Sequence, residues 1–241
     1  MSALLVRAGR HAFRHRGLLL PIAVVLLLIP GPHLVPDPAL AGVIGLAVAL
    51  VGQAIRCGTI GLDYIIRGGK DHQVYAERLV TGGIYQHVRN PMYVGNFFLL
   101  VGLAIASNSW VFVLAGIPVA ALTHVAIVAA EEDFLRAKFG AEFDAFCARS
   151  PRWVPRLSGL ATTLSGATFN WRRVLVKEYQ KAVDWLVAVA VVTIVNVALA
   201  GTLAQHVLVV GLMVLVVVAR IALYLAARAL RARDEPAAAG R

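Results

Sequence analysis

The residues best placed to do chemistry in this chain lie in one short stretch, Leu79-Val-Thr-Gly-Gly-Ile-Tyr-Gln-His-Val-Arg-Asn-Pro-Met-Tyr-Val-Gly95. Gly82, Gly83, Tyr85, His87, Arg89, Asn90, Pro91 and Tyr93 crowd there between two apolar segments. In a bilayer, so many hydrogen-bonding and turn-forming groups are tolerated where they line a water-accessible site. About 35 residues further on, after another apolar run, comes a second polar cluster, Glu131-Glu132. Two polar clusters joined by an apolar hairpin predict one pocket at the membrane edge. His124 is the one ionisable group inside the apolar run that leads to Glu131, and it precedes that residue by two helical turns, so both project from about the same face. An intramembrane ionisable residue is a functional candidate by default. Its two readings are a general base and a neutral ring bonded to a neighbouring helix.

The chain that must position these residues is strongly apolar. Of its 241 residues 59% are hydrophobic and 15% charged, and the mean hydropathy is +0.76. Soluble domains carry about 25% charged residues, so the composition is that of a polytopic membrane protein. The net charge of +10 does not point to nucleic acid, because the basic residues gather at the ends of apolar runs, where the positive-inside rule puts them. Cys57 and Cys147 form no disulfide framework or zinc spacing, and no spacing of His, Cys, Asp and Glu suggests a metal.

Six apolar segments approach the roughly 20 residues that a spanning helix needs: 17–35, 39–56, 93–107, 109–130, 184–200 and 206–227. The first follows Arg7, Arg10, Arg14 and Arg16 and is broken by Pro30 and Pro32. It resembles a signal peptide, but no small-residue cleavage site follows, and it reads as an uncleaved first helix. Ser107-Asn-Ser-Trp110 is a tight polar turn between the third and fourth segments. The N-terminus, 56–92, 131–183 and the tail from Arg228 are rich in Lys and Arg, whereas 31–38, 107–109 and 201–205 have none. This alternation predicts an all-α, polytopic membrane helical bundle of about six transmembrane helices. Both termini and both polar clusters then face the cytoplasm. Glu132–Ala148 reads as an amphipathic helix, with Phe134, Leu135, Phe139, Phe143 and Phe146 at helical spacing. Asn196 reads as interhelical glue and Arg220 as a side chain that snorkels to the cytoplasmic face. The organisation follows: 1–38 a first transmembrane helix and loop, 39–157 a core, 158–183 a cytoplasmic linker, and 184–241 a transmembrane hairpin with a basic, frayed tail.

Four sequence elements in order carry a resemblance: Leu79-Val-Thr-x-Gly-x-Tyr85, Arg89-Asn-Pro-x-Tyr-x-Gly95, Glu131-Glu132-x-x-Leu-x-x-x-Phe-Gly140 and Arg152-Trp-Val-Pro155. Together they resemble the superfamily of isoprenylcysteine carboxyl methyltransferases and phospholipid methyltransferases, over roughly residues 40–156. The resemblance implies an integral membrane enzyme that transfers methyl groups from S-adenosylmethionine, held in a cytoplasmic cofactor pocket. Carried over residue by residue, it implies cofactor contacts at Leu79, Val80, Tyr85, Asn90, Pro91, Tyr93 and Glu131. Asn90 stands where the family has His, Glu77 where the prenylcysteine enzymes have His, and Ile127 where they have a substrate-binding Arg. The cofactor half of the pattern is kept and the substrate half is not, which argues against prenylcysteine as acceptor.

The residue types suit this cofactor. Glu131, partly desolvated at the end of an apolar helix, can accept from a ribose diol or an ammonium. Gly82-Gly83 lets backbone approach a ligand. Pro91 starts a helix whose free N–H groups can hold a carboxylate, with Arg89 as a charge partner or a membrane-edge anchor. Tyr85 and Tyr93 offer an adenine wall or a face to a sulfonium, and Tyr93 is also an ordinary interfacial residue. Glu132 lies about 100° round the helix from Glu131 and is expected to pair with a loop Arg or Lys. The acceptor is expected to be lipophilic, a lipid headgroup, an isoprenoid or fatty carboxylate, or a thiol, with membrane lipids as surroundings. Oligomeric state is unreadable. Two other readings stay open: a membrane reductase of the related sterol reductase type using a nicotinamide dinucleotide, and a non-catalytic lipid-binding membrane protein.

Overall fold

The computed structural model describes residues 2–15, 29, 31–62 and 76–238, with side chains through Leu225. All regular elements among the described residues are helical. The expected first span, 17–35, falls mostly outside them.

What precedes it is a separate helix, α1 (Ala3–Arg14), which the reading of the N-terminus as a basic flank missed. Ser2 caps it by accepting from the Leu5 N–H, and Val6, Gly9 and Phe13 form its buried stripe. A Cβ on Gly9 would lie 1.9 Å from the Ala126 carbonyl oxygen, so only glycine lets the two backbones meet there. Arg10 adds an exposed ion pair to Asp133 at 2.8 Å.

Helix α2 (Pro38–Leu62) begins where Asp37 Oδ1 accepts from the Ala39 and Leu40 N–H groups. It packs antiparallel along α3 (Pro91–Ala106) through small residues. A Cβ on Gly45 would come within 2.5 Å of the Gly102 carbonyl, and one on Gly52 within 2.6 Å of the Gly95 carbonyl. Small residues at such spacing let membrane helices pack backbone to backbone, where dispersion rather than water exclusion drives association.

Pro91 sits in the first turn of α3, and Asn108 turns the chain at its end with φ +51°. The Asn108 carboxamide also accepts from the Leu34 and Val35 N–H groups, at 3.0 and 2.9 Å. A π-helical turn, Phe112–Gly116, leads into α4 (Ile117–Phe139). Pro118 has no N–H to give Leu114, and the Ile117 N–H reaches back to the Phe112 carbonyl instead. From Phe112 to Glu131 the helix rises roughly 29 Å, about the thickness of a hydrocarbon core. The carboxylates therefore emerge at the far edge of the bilayer.

The expected single helix over Glu132–Ala148 is two helices. Gly140, at φ +52°, ends α4 and starts α5 (Ala141–Arg149). The predicted linker 158–183 is also largely helical: α6 (Leu160–Ser165) is short, and α7 (Trp171–Leu199) starts far ahead of the apolar run at 184. Asn170 caps α7 by accepting from the Arg173 N–H at 2.8 Å. Hydropathy alone hides those first turns, because they carry Arg172, Arg173, Lys177, Glu178 and Lys181. Helix α8 (Val207–Ala238) continues through the tail expected to fray.

Among the described residues, four helices are long and apolar enough to cross a membrane: Pro38–Leu62, Phe112–Phe139, Trp171–Leu199 and Val207–Leu225. Helix α3, at 16 residues, is apolar but shorter. One end of the bundle gathers the connections that lack Lys and Arg. There Asn196 donates to the Ala106 and Ser107 carbonyls, at 3.0 and 2.8 Å, and His206 lies 3.4 Å from Asp37. The basic segments 76–90 and 140–170 gather at the other end, and the alternation of loop charge is thus a separation in space.

Candidate functional site

The Leu79–Tyr85 loop folds as a lid on that basic end. Gly83, at φ +56°, opens a 3₁₀ turn over Gly83–Gln86, a conformation that strains any residue with a Cβ. The turn drives Tyr85 inward. Val80 and Tyr85 are buried with Ala76, Leu135, Phe143 and Phe146, and Leu79 packs against the same cluster. Three sequence-predicted residues are therefore joined to the ends of α4 and α5 in one apolar floor.

His87 closes the loop from behind. Its Nδ1 meets the Arg156 carbonyl at 2.7 Å and its Nε2 meets Thr163 Oγ1 at 2.9 Å. Asn90 is buried, and its amide donates to the Arg152 carbonyl at 3.3 Å, while its own carbonyl accepts the Tyr93 and Val94 N–H groups that begin α3. Its side chain thus ties the loop to the Arg152-Trp-Val-Pro155 element.

The two adjacent glutamates are employed differently. Glu132, 3% exposed in its side chain, accepts from Arg152 Nε at 3.1 Å, from Arg152 Nη2, and from Arg89 Nη1 at 3.3 Å. The pairing with loop cations expected for Glu132 is present. Arg89 also donates to Cys147 Sγ at 3.1 Å, and its backbone N–H goes to the Pro151 carbonyl at 2.8 Å. The charge partner that Arg89 finds is thus Glu132. Glu131, 9% exposed, instead accepts the Tyr93 hydroxyl at 2.8 Å.

The Tyr93 ring stands edge-on to His124, with centroids 5.6 Å apart and planes at 76°. His124 Nδ1 lies 2.8 Å from the Ala120 carbonyl of its own helix. A carbonyl only accepts, so this nitrogen carries the proton, and in the neutral ring Nε2 holds the lone pair. The partner is one turn back on α4, not on a neighbouring helix. Tyr93, His124 and Glu131 form one constellation across α3 and α4. Among the described residues no three His, Cys, Asp or Glu side chains converge as a metal site would require.

One buried polar cluster was not anticipated. Arg56 on α2, 4% exposed, makes a bidentate pair with Glu178 on α7 at 2.5 and 2.9 Å, and its Nη1 reaches Asn96 on α3. Gln53 also donates to Glu178 at 3.2 Å. Two misplaced boundaries concealed it. Arg56 looked like the end of a span, although apolar residues continue to Leu62, and Glu178 was assigned to a linker.

The described residues form an apolar all-helical bundle with this constellation at one end. Residues 40–142, somewhat less than half of the chain, match the phospholipid methyltransferase family. The match takes in α2, the lid loop, the hairpin of α3 and α4, and the start of α5. The chain is also similar to the nickel-cobalt-cadmium resistance protein NccN of Alcaligenes xylosoxydans xylosoxydans, at 33% identity over 117 residues, which cover 48% of this chain and 49% of that protein. It is 32% identical, over the same length and shares, to the cobalt-zinc-cadmium resistance protein CzcN of Cupriavidus metallidurans. The chain thus matches about half the length of these curated relatives. No solved structure matches.

Proposed function

We propose that the chain is an integral membrane methyltransferase that uses S-adenosylmethionine and methylates a lipophilic acceptor at the cytoplasmic edge of the bilayer. The observation that carries this reading is the Tyr93–Glu131 hydrogen bond beside His124, inside the segment that matches the methyltransferase family.

The donor set fits the cofactor. Glu131 is a mostly buried carboxylate one helical turn before Leu135, which packs in the apolar cluster of Leu79, Val80 and Tyr85, and this combination suits a ligand with diol or ammonium donors and a flat base. The chemistry supplied by bound S-adenosylmethionine is an activated methyl group on a sulfonium. The protein then has to orient two reactants in line and exclude water. Tyr93 fixes the Glu131 carboxylate. His124, with Nδ1–H held by Ala120, presents Nε2 to take the proton that a hydroxyl, thiol or amine acceptor loses as it is methylated. Glu132, Arg89, Arg152 and Asn90 hold the lid loop against α4 and are positioning residues.

Calorimetry on the purified chain tests the reading: saturable binding of S-adenosylmethionine is expected, and lost in Glu131→Ala. Binding of a reduced nicotinamide dinucleotide in its place would replace the reading with a reductase. Incubating membranes with methyl-labelled S-adenosylmethionine then identifies the acceptor, with label expected in the lipid extract.

The names of the two relatives place them in metal resistance. We carry this over as a physiological setting for the methylation: deletion of the gene is expected to lower growth on nickel, cobalt or cadmium, and a Glu131→Ala copy is expected not to restore it.

A further inference from the structure

Between the lid loop and the segment that follows α5 lies a cavity of about 270 Å³. Thr81 and Gly82 form one wall, Arg149, Ser150 and Arg156 the other, and the buried Phe146 the floor. We propose that this cavity seats the phosphate headgroup of an anionic membrane lipid.

The charge is one-sided: two guanidinium groups line the cavity and no carboxylate does. Neither arginine forms an ion pair with an acid among the described residues, whereas the neighbouring Arg89 and Arg152 both pair with Glu132. The walls are laced together. The Arg156 N–H donates to the His87 carbonyl at 2.9 Å, and Arg156 Nη2 and Ser150 Oγ both reach the Gln86 carbonyl at 3.3 Å. These donors are spent on carbonyls and fix the walls, which leaves the remaining guanidinium N–H groups of Arg149 and Arg156 to meet a phosphate or carboxylate.

Size separates a headgroup from a cofactor. Pockets for drug-sized ligands run about 300–1,000 Å³, and this one, about 270 Å³, has room for a headgroup and little more. Location separates a lipid from a free anion. The cavity lies at the basic end of the bundle, and Val154 and Leu157, 78% and 73% exposed, flank Arg156. Apolar side chains that bracket an arginine at the membrane edge place its guanidinium at headgroup depth.

The test uses the full chain in maltoside micelles, without S-adenosylmethionine, so its outcome is independent of the methyl-transfer reading. Short-chain phosphatidic acid, short-chain phosphatidylcholine and inorganic phosphate are titrated separately. Saturable binding of phosphatidic acid and none of phosphatidylcholine is expected. Arg149→Gln with Arg156→Gln is expected to weaken binding at least tenfold, and Arg7→Gln with Arg14→Gln, which removes the same charge from the exposed face of α1, less than twofold. Gly82→Val plugs the space and leaves both arginines in place. A Cβ there meets nothing within 4 Å and the backbone, at φ −88°, accepts one, so a folded protein that no longer binds is expected. Equal losses in the two arginine pairs would reduce the effect to bulk charge and overturn the proposal. So would undiminished binding by Gly82→Val, or inorganic phosphate binding as tightly as phosphatidic acid.

Discussion

Glu131 and Glu132 show how two identical neighbours acquire different work. Two guanidinium groups compensate Glu132, and removing one partner of such a buried set costs about 3–5 kcal/mol. Glu132→Gln is therefore expected to lower the thermal midpoint markedly in micelles, with cofactor binding lost only as the fold is lost. Glu131→Gln keeps the volume and removes the charge, and is expected to weaken S-adenosylmethionine at least tenfold with little change in midpoint. Tyr93→Phe deletes a hydrogen bond to a carboxylate, a contact of about 1.5–3 kcal/mol. A roughly tenfold loss of affinity is expected, read by the same calorimetry. At this scale the sequence was informative. Turn residues, paired acids and an intramembrane histidine are rare in apolar surroundings, and Tyr93, His124 and Glu131 do meet. The direction each side chain takes was less legible. Arg89 and Asn90 face the Glu132 and Arg152 side of the loop, because a buried carboxylate attracts whichever cations the fold brings near.

Among the elements, α7 is one that the sequence concealed. Its charged first turns look like a linker until Arg56 is seen to need Glu178, both almost fully buried. Arg56→Ala is expected to destabilise by about 3–5 kcal/mol. The reversed pair, Arg56→Glu with Glu178→Arg, is expected to recover part of that loss in a thermal scan, which neither single reversal would do. The α2–α3 seam was equally hidden, since hydropathy does not distinguish glycines that face a helix from glycines that face lipid. Gly102→Leu, whose Cβ would sit 2.5 Å from the Gly45 carbonyl, is expected to abolish the monodisperse peak in fluorescence-detected size exclusion. Gly211→Leu on α8, where a Cβ meets nothing within 4 Å, is expected to keep it. The apolar spans themselves were legible because length and composition decide them, while their ends depend on capping and burial that only the folded chain reveals.

Taken as a whole, the molecule sorts its connections by basic charge, with the turns that lack Lys and Arg at one end and the lid loop, α5 and α6 at the other. In a chain whose native cysteines are replaced by Ala, Thr202→Cys is expected to react with an impermeant maleimide in intact cells and Ser158→Cys only once the cytoplasmic side is opened. The reverse pattern would put the lid outside. The seat of α1 carries a further consequence. Its Gly9 and Arg10 lie against Ala126 and Asp133, and 123 positions separate that ion pair along the chain. Helix α1 thus has no docking partner until the chain has been synthesised through Asp133, and during that interval its apolar stripe must be sheltered by the membrane surface or by a chaperone.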